Sequence, residues 1–302
     1  MQNNYTIKSK CDGLDLSLIE VVPQKEIKAI LQISHGMAEH KERYLEFMNF
    51  LANEGYLCVI NDHRGHGESV KSKDDYGYFY EENADYIIED LRDISLMMKE
   101  KYKDVPLYLF GHSMGSLCVR KYLAKYDQDI DKLVVCGSPS KNGMVNIAIS
   151  LTKFIKKIKG DHHHSKMINN LAFGSFDSKF EGDNPNRWLS LNQKNVIDYN
   201  NNEKCGFTFT TNGFLNLFNL MKDVYTKETY NCTNSDLPIL FIAGSEDPVI
   251  TSVKAWQEAQ TFLKEVGYNN ISNILFKGAR HEILNEDNKE DIFKDILVFL
   301  NA

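Results

Sequence analysis

The chain has 302 residues, of which 42% are hydrophobic and 25% are charged, a composition typical of a globular protein that buries a large core. The formal net charge is −7, so the protein lacks the global basic field that favours nucleic acid as a partner. No stretch approaches the roughly 18 apolar residues of a membrane-spanning helix.

Short apolar runs alternate with helical periodicity along most of the chain. The first two predicted strands, YTIK and LDLSLIEVV, are joined by a hairpin-like turn. The strands KAILQIS, LCVIND, LYLF and KLVVCG follow, with predicted helices over 41–53, over 85–102 and after residue 113. After about residue 235 come PILFIAG, a helix over 252–266, SNILFK and a C-terminal helix. Continuous apolar strands are buried on both faces, so this order predicts an α/β fold with a mostly parallel central sheet flanked by helices.

The alternation is interrupted between about residues 137 and 236 by an amphipathic segment, a histidine run and an Asn-rich stretch. An irregular block between two strands of a parallel sheet is inserted at the carboxyl edge, where open α/β sheets bind ligands. We therefore predict a core formed by residues 1–137 and 236–302, with a helical cap inserted at residues 138–235.

The six cysteines show no C-x-x-C pairing, and several lie in apolar runs such as LCVI and LVVC. Reduced, buried thiols are the simplest interpretation. The N-terminal segment MQNNYTIKSK also lacks the apolar region of a secretory signal. These features predict a protein of the cytoplasm.

The stretch GHSMGS places a serine, Ser113, between two glycines, after a predicted strand and before a predicted helix. G-x-S-x-G in this context is typical of a nucleophile elbow, because side chains at Gly111 and Gly115 would obstruct the close approach of strand and helix. The free N–H groups at the start of the helix can stabilise developing negative charge. Ser113 is the predicted nucleophile.

An activated serine needs a general base, and the base needs an orienting acid, in the chain order serine, acid, histidine on this fold. Asp247 follows the strand PILFIAG, and His281 follows SNILFK. His281 is the only one of the nine histidines that lies beyond the candidate acid. We predict Asp247 and His281 as the partners of Ser113, with Glu246 as the alternative acid.

The loop HGMAEH follows the strand KAILQIS. An oxyanion hole of this fold takes one backbone N–H from this loop and one from the residue after the nucleophile. These positions are Met37 and Met114. His35 and Gly36 are expected to shape the loop.

Five motifs stand out in combination: HGMAEHKERY, NDHRGHGES, GHSMGS, GSEDPV and GARHEI. Together they resemble the monoacylglycerol lipase and lysophospholipase branch of the α/β-hydrolase superfamily, which is grouped with serine aminopeptidase-like proteins. The resemblance extends from about residue 28 to the end of the chain. The catalytic and oxyanion residues that it implies are Ser113, Asp247, His281, Met37 and Met114. It also suggests that the turn around Arg64 is structural.

The segment 144–159 carries apolar residues on one helical face and lysines at its end: Met144, Ile147, Ala148, Leu151, Phe154, Ile155 and Ile158, with Lys153, Lys156 and Lys157. This pattern predicts a cap helix packed over the core. The second interpretation is an interfacial helix that makes transient contact with an anionic membrane surface. In the return from cap to core, Asn192 and Asn202 depart from the resembled bacterial pattern, which leaves the cap geometry open.

The tract His162–His164 invites a metal-site interpretation. Three consecutive histidines on one turn cannot all face one ion, and a second ligand cluster is not apparent, so we predict a solvated loop and neither metal nor other cofactor. The aromatic-rich segment 207–220 is expected to contribute mainly to the core and in part to an acyl pocket.

The predicted function is hydrolysis of a small-molecule acyl ester through an acyl-enzyme intermediate. Monoacylglycerols, lysophospholipids and shorter carboxylic esters are the expected substrates. Amide or peptide cleavage, thioester hydrolysis and acyl transfer are alternatives on the same fold, and a non-catalytic ligand-binding scaffold is the alternative outside enzymology. Aminopeptidase activity would need a carboxylate for the substrate's amino group, for which Glu39 is a candidate.

Overall fold

The computed structural model describes residues 1–302 and contains one eight-stranded sheet with nine α-helices. The strands are β1 (Gln2–Lys8), β2 (Asp15–Val21), β3 (Ala29–Ser34), β4 (Tyr56–Asn61), β5 (Leu107–His112), β6 (Lys132–Cys136), β7 (Ile239–Gly244) and β8 (Ile271–Phe276). The helices are α1 (Leu45–Asn53), α2 (Tyr86–Lys101), α3 (Met114–Tyr126), α4 (Val145–Lys159), α5 (Lys166–Phe173), α6 (Gln193–Asn201), α7 (Thr211–Asp223), α8 (Val253–Glu265) and α9 (Lys289–Asn301). None of these helices is both long and apolar enough to cross a bilayer.

The strand order is β1-β2-β4-β3-β5-β6-β7-β8. The β1–β2 hairpin is antiparallel, β2 pairs antiparallel with β4, and all later pairs are parallel. The mostly parallel sheet predicted from the alternation of strands and helices is therefore confirmed. The carboxyl ends of β3, β5, β7 and β8 lie along one edge of the sheet.

Helices cover both faces of the sheet and create two separate cores. Helices α1 and α9 pack on one face, within a cluster of 25 buried apolar residues. Helices α2, α3 and α8 pack on the other face, within a cluster of 45. Every residue of β3 and β4 is buried, as their continuous apolar runs predict. The same expectation is wrong for β8, which is only partly buried because it forms the edge of the sheet.

The helix predicted over 41–53 begins instead as a 3-10 turn, Lys41–Tyr44, before α1. The start of this segment is held by Asp62. Its carboxylate accepts hydrogen bonds from the backbone N–H of Lys41 at 2.8 Å and from the Lys41 ammonium at 2.5 Å. These bonds tie the start of the segment to the turn after β4.

The turn after β4 is held by the buried guanidinium of Arg64. Its Nε donates to Asp90 at 2.9 Å, and its Nη1 donates to Asp12 at 3.1 Å and to the carbonyl of Phe79 at 2.9 Å. A buried guanidinium needs this full set of acceptors to offset its desolvation. These contacts support a structural role for the turn.

Helices α4 to α7 lie between β6 and β7, and α4 packs along α7, which also contacts α3. In α4 the buried side chains are Ile149, Thr152 and Ile155. Phe154 and Ile158, placed by the sequence on a single packed face, are 62% and 61% exposed. The predicted apolar face of this helix therefore packs only in part. The domain boundaries at residues 138 and 235 remain a prediction.

The histidine tract contacts the core segment between β4 and α2 and the segment that precedes α7. The ring of His162 stacks on Tyr78 with 3.9 Å between centroids. His164 donates from Nδ1 to the carbonyl of Thr208 at 2.7 Å. The chain contains no group of three or more His, Cys, Asp or Glu side chains that could hold a metal ion.

Three other histidines form a buried cluster beside β3 and β4. The ring of His35 lies 4.3 Å from that of His63 and 5.2 Å from that of His66, centroid to centroid. Burial is the main cause that lowers the pKa of His35 to about 4 and that of His66 to about 3, and it holds the pKa of His63 well below its ordinary value. Nδ1 of His63 and Nε2 of His66 have no hydrogen-bond partner. The three rings are therefore neutral at pH 7.

We expect the free energy of unfolding to fall as the pH is lowered from 6.5 towards 4. Unfolding returns the three rings to an ordinary pKa of 6.5, so in this range the unfolded chain binds more protons than the folded chain. The three neutral rings contribute fully to stability above pH 6.5. This contribution is lost as the pH falls from 6.5 through the folded-state pKa values of the rings. Urea unfolding at half-unit steps of pH measures the effect, and His66→Asn should flatten the slope. Equal stability of the parent at pH 7 and pH 5 would contradict this account.

Candidate active site

A cavity of about 890 Å³ opens at the carboxyl edge of the sheet, between the core and helices α4, α5 and α7. The loop after β3 contributes Met37 to its lining, the turn after β5 contributes Ser113, and the loop after β8 contributes His281. The three segments are distant in sequence and meet because parallel strands end at the same edge.

Ser113 occupies a strained turn between β5 and α3. Its φ and ψ are 53° and −118°, a backbone conformation that residues with side chains rarely adopt. A Cβ on Gly111 would lie 2.4 Å from the carbonyl oxygen of Gly115, and a Cβ on Gly115 would lie 2.0 Å from that of Ser34. Only glycine fits at both positions, which explains the spacing G-x-S-x-G.

The loops after β7 and β8 bring an aspartate and a histidine together. Nδ1 of His281 lies 2.8 Å from Oδ2 of Asp247, and both side chains are buried. The other carboxylate oxygen of Asp247 accepts the backbone N–H of Val249 at 2.8 Å. The alternative acid, Glu246, is exposed and lies away from the imidazole. A Cβ on Gly137 would come within 3.2 Å of the His281 ring, so a glycine is needed there as well.

The hydrogen bond to Asp247 orients the imidazole of His281. Since Nδ1 donates to the carboxylate, Nε2 is the nitrogen that is free to accept a proton. The Ser113 hydroxyl makes no hydrogen bond within the protein, although Ser113 and His281 border the same cavity. Hydrogen bonds between a reactive hydroxyl and its general base are commonly long in the ligand-free state and tighten when substrate binds.

Two backbone N–H groups near the serine are free to bind an oxyanion. Neither the N–H of Met37 nor that of Met114 donates a hydrogen bond within the protein, and both residues border the cavity. Ala38 ties the loop after β3 to the cap. Its carbonyl accepts hydrogen bonds from the Tyr199 hydroxyl at 3.0 Å and from the N–H of Gly206 at 2.9 Å. Its left-handed φ of 52° shows how tightly the loop turns.

A buried ionic network, not recognised in the sequence, lies at one end of the cavity. Nη1 of Arg43 donates to Glu39 at 2.8 Å, and both Nη atoms donate to the two oxygens of Glu282 at 2.6 Å. Asn195 of the cap helix α6 donates to Glu282 at 2.6 Å and accepts from Arg43 at 3.0 Å. The only sequence signals are the four-residue spacing of Glu39 and Arg43 and the acid that follows His281.

The three ionised groups stabilise one another's charged forms. Burial opposes ionisation of Glu39, but the hydrogen bond from His112 and the charge of Arg43 outweigh it and hold the Glu39 pKa well below its usual range. Burial likewise opposes ionisation of Glu282, yet Arg43 lowers the pKa of that carboxyl. In return, Glu282 and Glu39 raise the pKa of Arg43 well above its ordinary value, against the effect of burial.

A segment of the cap, residues 187–191, brackets the loop that carries His281. The guanidinium of Arg280 donates to the carbonyls of Arg187 at 2.6 Å and Ser190 at 3.3 Å, and the N–H of Glu282 donates to the carbonyl of Leu189 at 2.7 Å.

Two further contacts reinforce this bracket. The carboxylate of Glu286 accepts the hydroxyl of Ser190 at 2.7 Å and the N–H of Leu191 at 2.8 Å on one oxygen, and the N–H of Arg280 at 2.8 Å on the other. The ring of Trp188 lies 5.1 Å from that of His281, centroid to centroid. This part of the cap therefore fixes the position of the imidazole.

The cavity is apolar along one wall and polar at one end. The apolar wall comes from α4 and α7: Met144, Ile147, Ala148, Leu151, Leu217, Phe218 and Met221. The polar end contains Glu39, His112, Tyr199 and Glu282. Of the aromatic-rich segment, Phe209 and Phe214 are fully buried in the core, whereas Phe207 and Phe218 border the cavity. A molecule with an acyl chain and a polar head matches this division.

Comparison with known proteins places the chain among serine hydrolases. The family model described as serine aminopeptidase, S33 (Hydrolase_4) matches residues 25–288. The chain is 36% identical to the monoglyceride lipase homolog of Monkeypox virus over 30% of each chain. It is 27% identical to the monoglyceride lipase of Mus musculus over 87% of this chain and 78% of the mouse protein.

The architecture has a close counterpart among solved structures. A thermostable carboxyl esterase from Bacillus coagulans, solved with glycerol, superposes with a TM-score of 0.91 at 24% identity, over 99% of this chain and 98% of that one. This likeness shows the α/β-hydrolase fold. The fold and the family together define a serine ester hydrolase. The chain belongs to the serine aminopeptidase S33 (Hydrolase_4) family, as its motifs predicted.

Proposed function

We propose that the protein hydrolyses carboxylic esters of neutral alcohols, with monoacylglycerol as the substrate class that the cavity fits best. Ser113 is the nucleophile, His281 the general base and Asp247 the acid that orients it. The observation that carries the proposal is the buried His281–Asp247 hydrogen bond beside a serine held at a φ of 53°, in one cavity with an apolar wall.

The reaction follows from these positions. Nε2 of His281 takes the proton of the Ser113 hydroxyl as its oxygen attacks the ester carbonyl, and Asp247 stabilises the imidazolium. The backbone N–H groups of Met37 and Met114 bind the oxyanion. The imidazolium then protonates the departing alcohol, and water, deprotonated by the same histidine, releases the acid and restores the serine.

The polar end of the cavity favours a neutral head group over a phosphate. Binding a phosphate requires free cationic donors, whereas the Nη atoms of Arg43 are already engaged by Glu39, Glu282 and Asn195. A phosphate placed there would be desolvated beside two carboxylates. The only lysine or arginine that borders the cavity is Lys141, an exposed residue in the segment before α4. Alcohol hydroxyls need only single hydrogen bonds, which the carboxylate and carbonyl oxygens provide. This supports monoacylglycerol above lysophospholipid.

The same contacts argue against aminopeptidase activity, the alternative that the family description raises. Three carboxylates border the cavity: Glu39, Asp177 and Glu282. Arg43 engages the first and third, and Asp177 accepts the backbone N–H groups of Asn186 and Trp188. A substrate ammonium would have to compete with Arg43 at two of these carboxylates and with two neutral backbone donors at the third.

The exposed side of the cap supports transient contact with a membrane surface. Phe154, Ile158 and Leu171 are exposed by 62%, 61% and 71% on α4 and α5. Lys153 and Lys157 are exposed in the same stretch. An apolar surface flanked by lysines favours an interface that contains anionic lipid, and α4 also forms part of the cavity wall. The six free cysteines fit a reducing compartment such as the cytoplasm.

Ser113→Ala should lower kcat/KM for p-nitrophenyl butyrate by roughly 10⁴-fold or more, because the acyl-enzyme cannot form. Circular dichroism and thermal unfolding should match the parent. The matched control is Ser150→Ala, which removes an exposed hydroxyl on α4 and should retain activity. A fluorophosphonate probe should label the peptide that contains Ser113. Unchanged ester turnover by Ser113→Ala would refute the proposed mechanism.

The head-group preference can be measured with substrates that share one acyl chain. We expect monohexanoylglycerol to be hydrolysed with a kcat/KM at least about tenfold above that of hexanoyl lysophosphatidic acid, since the unpaired phosphate would cost on the order of 1.4 kcal/mol or more. Both substrates are used below their critical micelle concentrations, and an aminoacyl anilide serves as the third arm. Equal or faster turnover of the phosphate ester or the anilide would overturn this assignment.

Replacing Phe154 and Ile158 by serine should weaken co-sedimentation with phosphatidylglycerol-containing vesicles several-fold, because the apolar contact is lost. Hydrolysis of a water-soluble ester should persist. The control is Val298→Ser on α9, which removes a 69% exposed apolar side chain on another surface. If the double variant binds vesicles as well as the parent does, this surface is not the membrane contact.

A further inference from the structure

The imidazole of His112, the residue before Ser113, has oxygen acceptors at both of its ring nitrogens. Nδ1 lies 3.3 Å from Oε1 of Glu39, and Nε2 lies 3.2 Å from the carbonyl oxygen of His281. The ring is 5% exposed, so water does not replace either partner. A neutral imidazole has one N–H and could satisfy only one of them. Both contacts require a second proton in the His112–Glu39 pair.

The surroundings of Glu39 decide where that proton lies. Its carboxylate accepts hydrogen bonds from the N–H of Gly36 at 2.5 Å, from the Tyr44 hydroxyl at 2.9 Å and from Arg43 at 2.8 Å. Each of these donors favours the carboxylate anion over the neutral acid. The proton therefore belongs to His112.

Charge balance leads to the same result. Glu39 and Glu282 carry two negative charges, and Arg43 carries one positive charge. The two carboxylates are buried and the Arg43 side chain is only 10% exposed, and an unbalanced buried charge is strongly unfavourable. A cationic His112 makes the group of four neutral. Burial alone would oppose this cation, but the hydrogen bond and charge of Glu39, aided by Glu282, raise the pKa of His112 above its ordinary value.

We propose that His112 is an imidazolium at neutral pH and a positioning residue for the catalytic base His281. This inference rests on the proposed function of His281. The two rings lie 4.6 Å apart, centroid to centroid. A positive charge at this distance repels a second positive charge on the His281 ring. Its Nε2–H also holds the backbone of His281 through the carbonyl.

The ionisable groups around the two rings come from several elements. Glu39, which also accepts the Tyr44 hydroxyl, contacts His112 from the loop after β3, Glu282 acts on it from the loop after β8, and Cys136 pairs with it from β6. Asp247 contacts Nδ1 of His281. The His281 ring therefore has a carboxylate at Nδ1 and, in this proposal, a cation beside it.

Nuclear magnetic resonance of the protein labelled with ¹⁵N-histidine tests the charge without reference to activity. In the parent, one imidazole should show both nitrogens protonated at pH 7.5, a unit above the ordinary histidine pKa of 6.5. That signal should be absent in His112→Gln, or in His112→Asn if the first variant does not fold. A neutral His112 at pH 7.5 would overturn the proposal.

The acid limb of kcat/KM for p-nitrophenyl acetate tests the action on His281, because it reports the pKa of the base in the free enzyme. His112→Gln should move this limb to higher pH by about one unit, since the neighbouring cation is lost. The matched control, His66→Gln, removes a buried neutral histidine and should leave the limb in place.

A merely structural role predicts another pattern. His112→Gln would then lower kcat/KM by the same factor at every pH, and an unshifted limb would overturn the proposal. Failure of the proposed function can be told apart from failure of this inference. If Ser113→Ala still hydrolysed esters, the proposed function would be wrong, but the resonance measurement of the charge on His112 would still stand.

Discussion

The forked salt bridge of Arg43 is the interaction on which the site depends. One guanidinium joins Glu39 of the oxyanion loop to Glu282 of the loop that carries His281, with Asn195 of the cap on its outer side. Removing Arg43 or either carboxylate would leave a charge without compensation, which typically costs about 3–5 kcal/mol for a buried pair. The network therefore ties three separate parts of the chain into one arrangement. Its role in the proposed mechanism is geometric, because none of its members is the proposed nucleophile or base.

The cap divides into two parts with different physical roles. Residues 187–195 are hydrogen-bonded to the loop of His281 through Arg280, Glu282 and Glu286. Helices α4 and α5 instead expose large apolar side chains such as Phe154 and Leu171. The first part is bound to the loop that carries His281, whereas the second presents an exposed apolar surface and contributes to the cavity wall. Changes in the two parts should therefore affect different properties: base geometry in one and substrate access in the other.

Much of the fold could be predicted because its signals are local. Buried parallel strands read as continuous apolar runs, and β3 and β4 follow this rule completely. The serine turn could be recognised because a side chain at Gly111 or Gly115 would collide with the backbone. Arg43 and Glu282 could not be paired in advance, since 239 residues separate them. The face of α4 was misjudged in part because helical periodicity does not specify which apolar residues have a neighbour to pack against.

The sequence by itself determined the order of the strands along the chain, the strained serine turn and the chemical types of the candidate triad. These properties depend on residue type and spacing, and so they can be predicted directly from the sequence. The tertiary structure alone decided that Asp247 rather than Glu246 contacts His281, that Trp188 packs beside it and that His112 lies between two acceptors. Such contacts arise only when separate loops meet at one edge of a twisted sheet, where burial decides which charges must be paired.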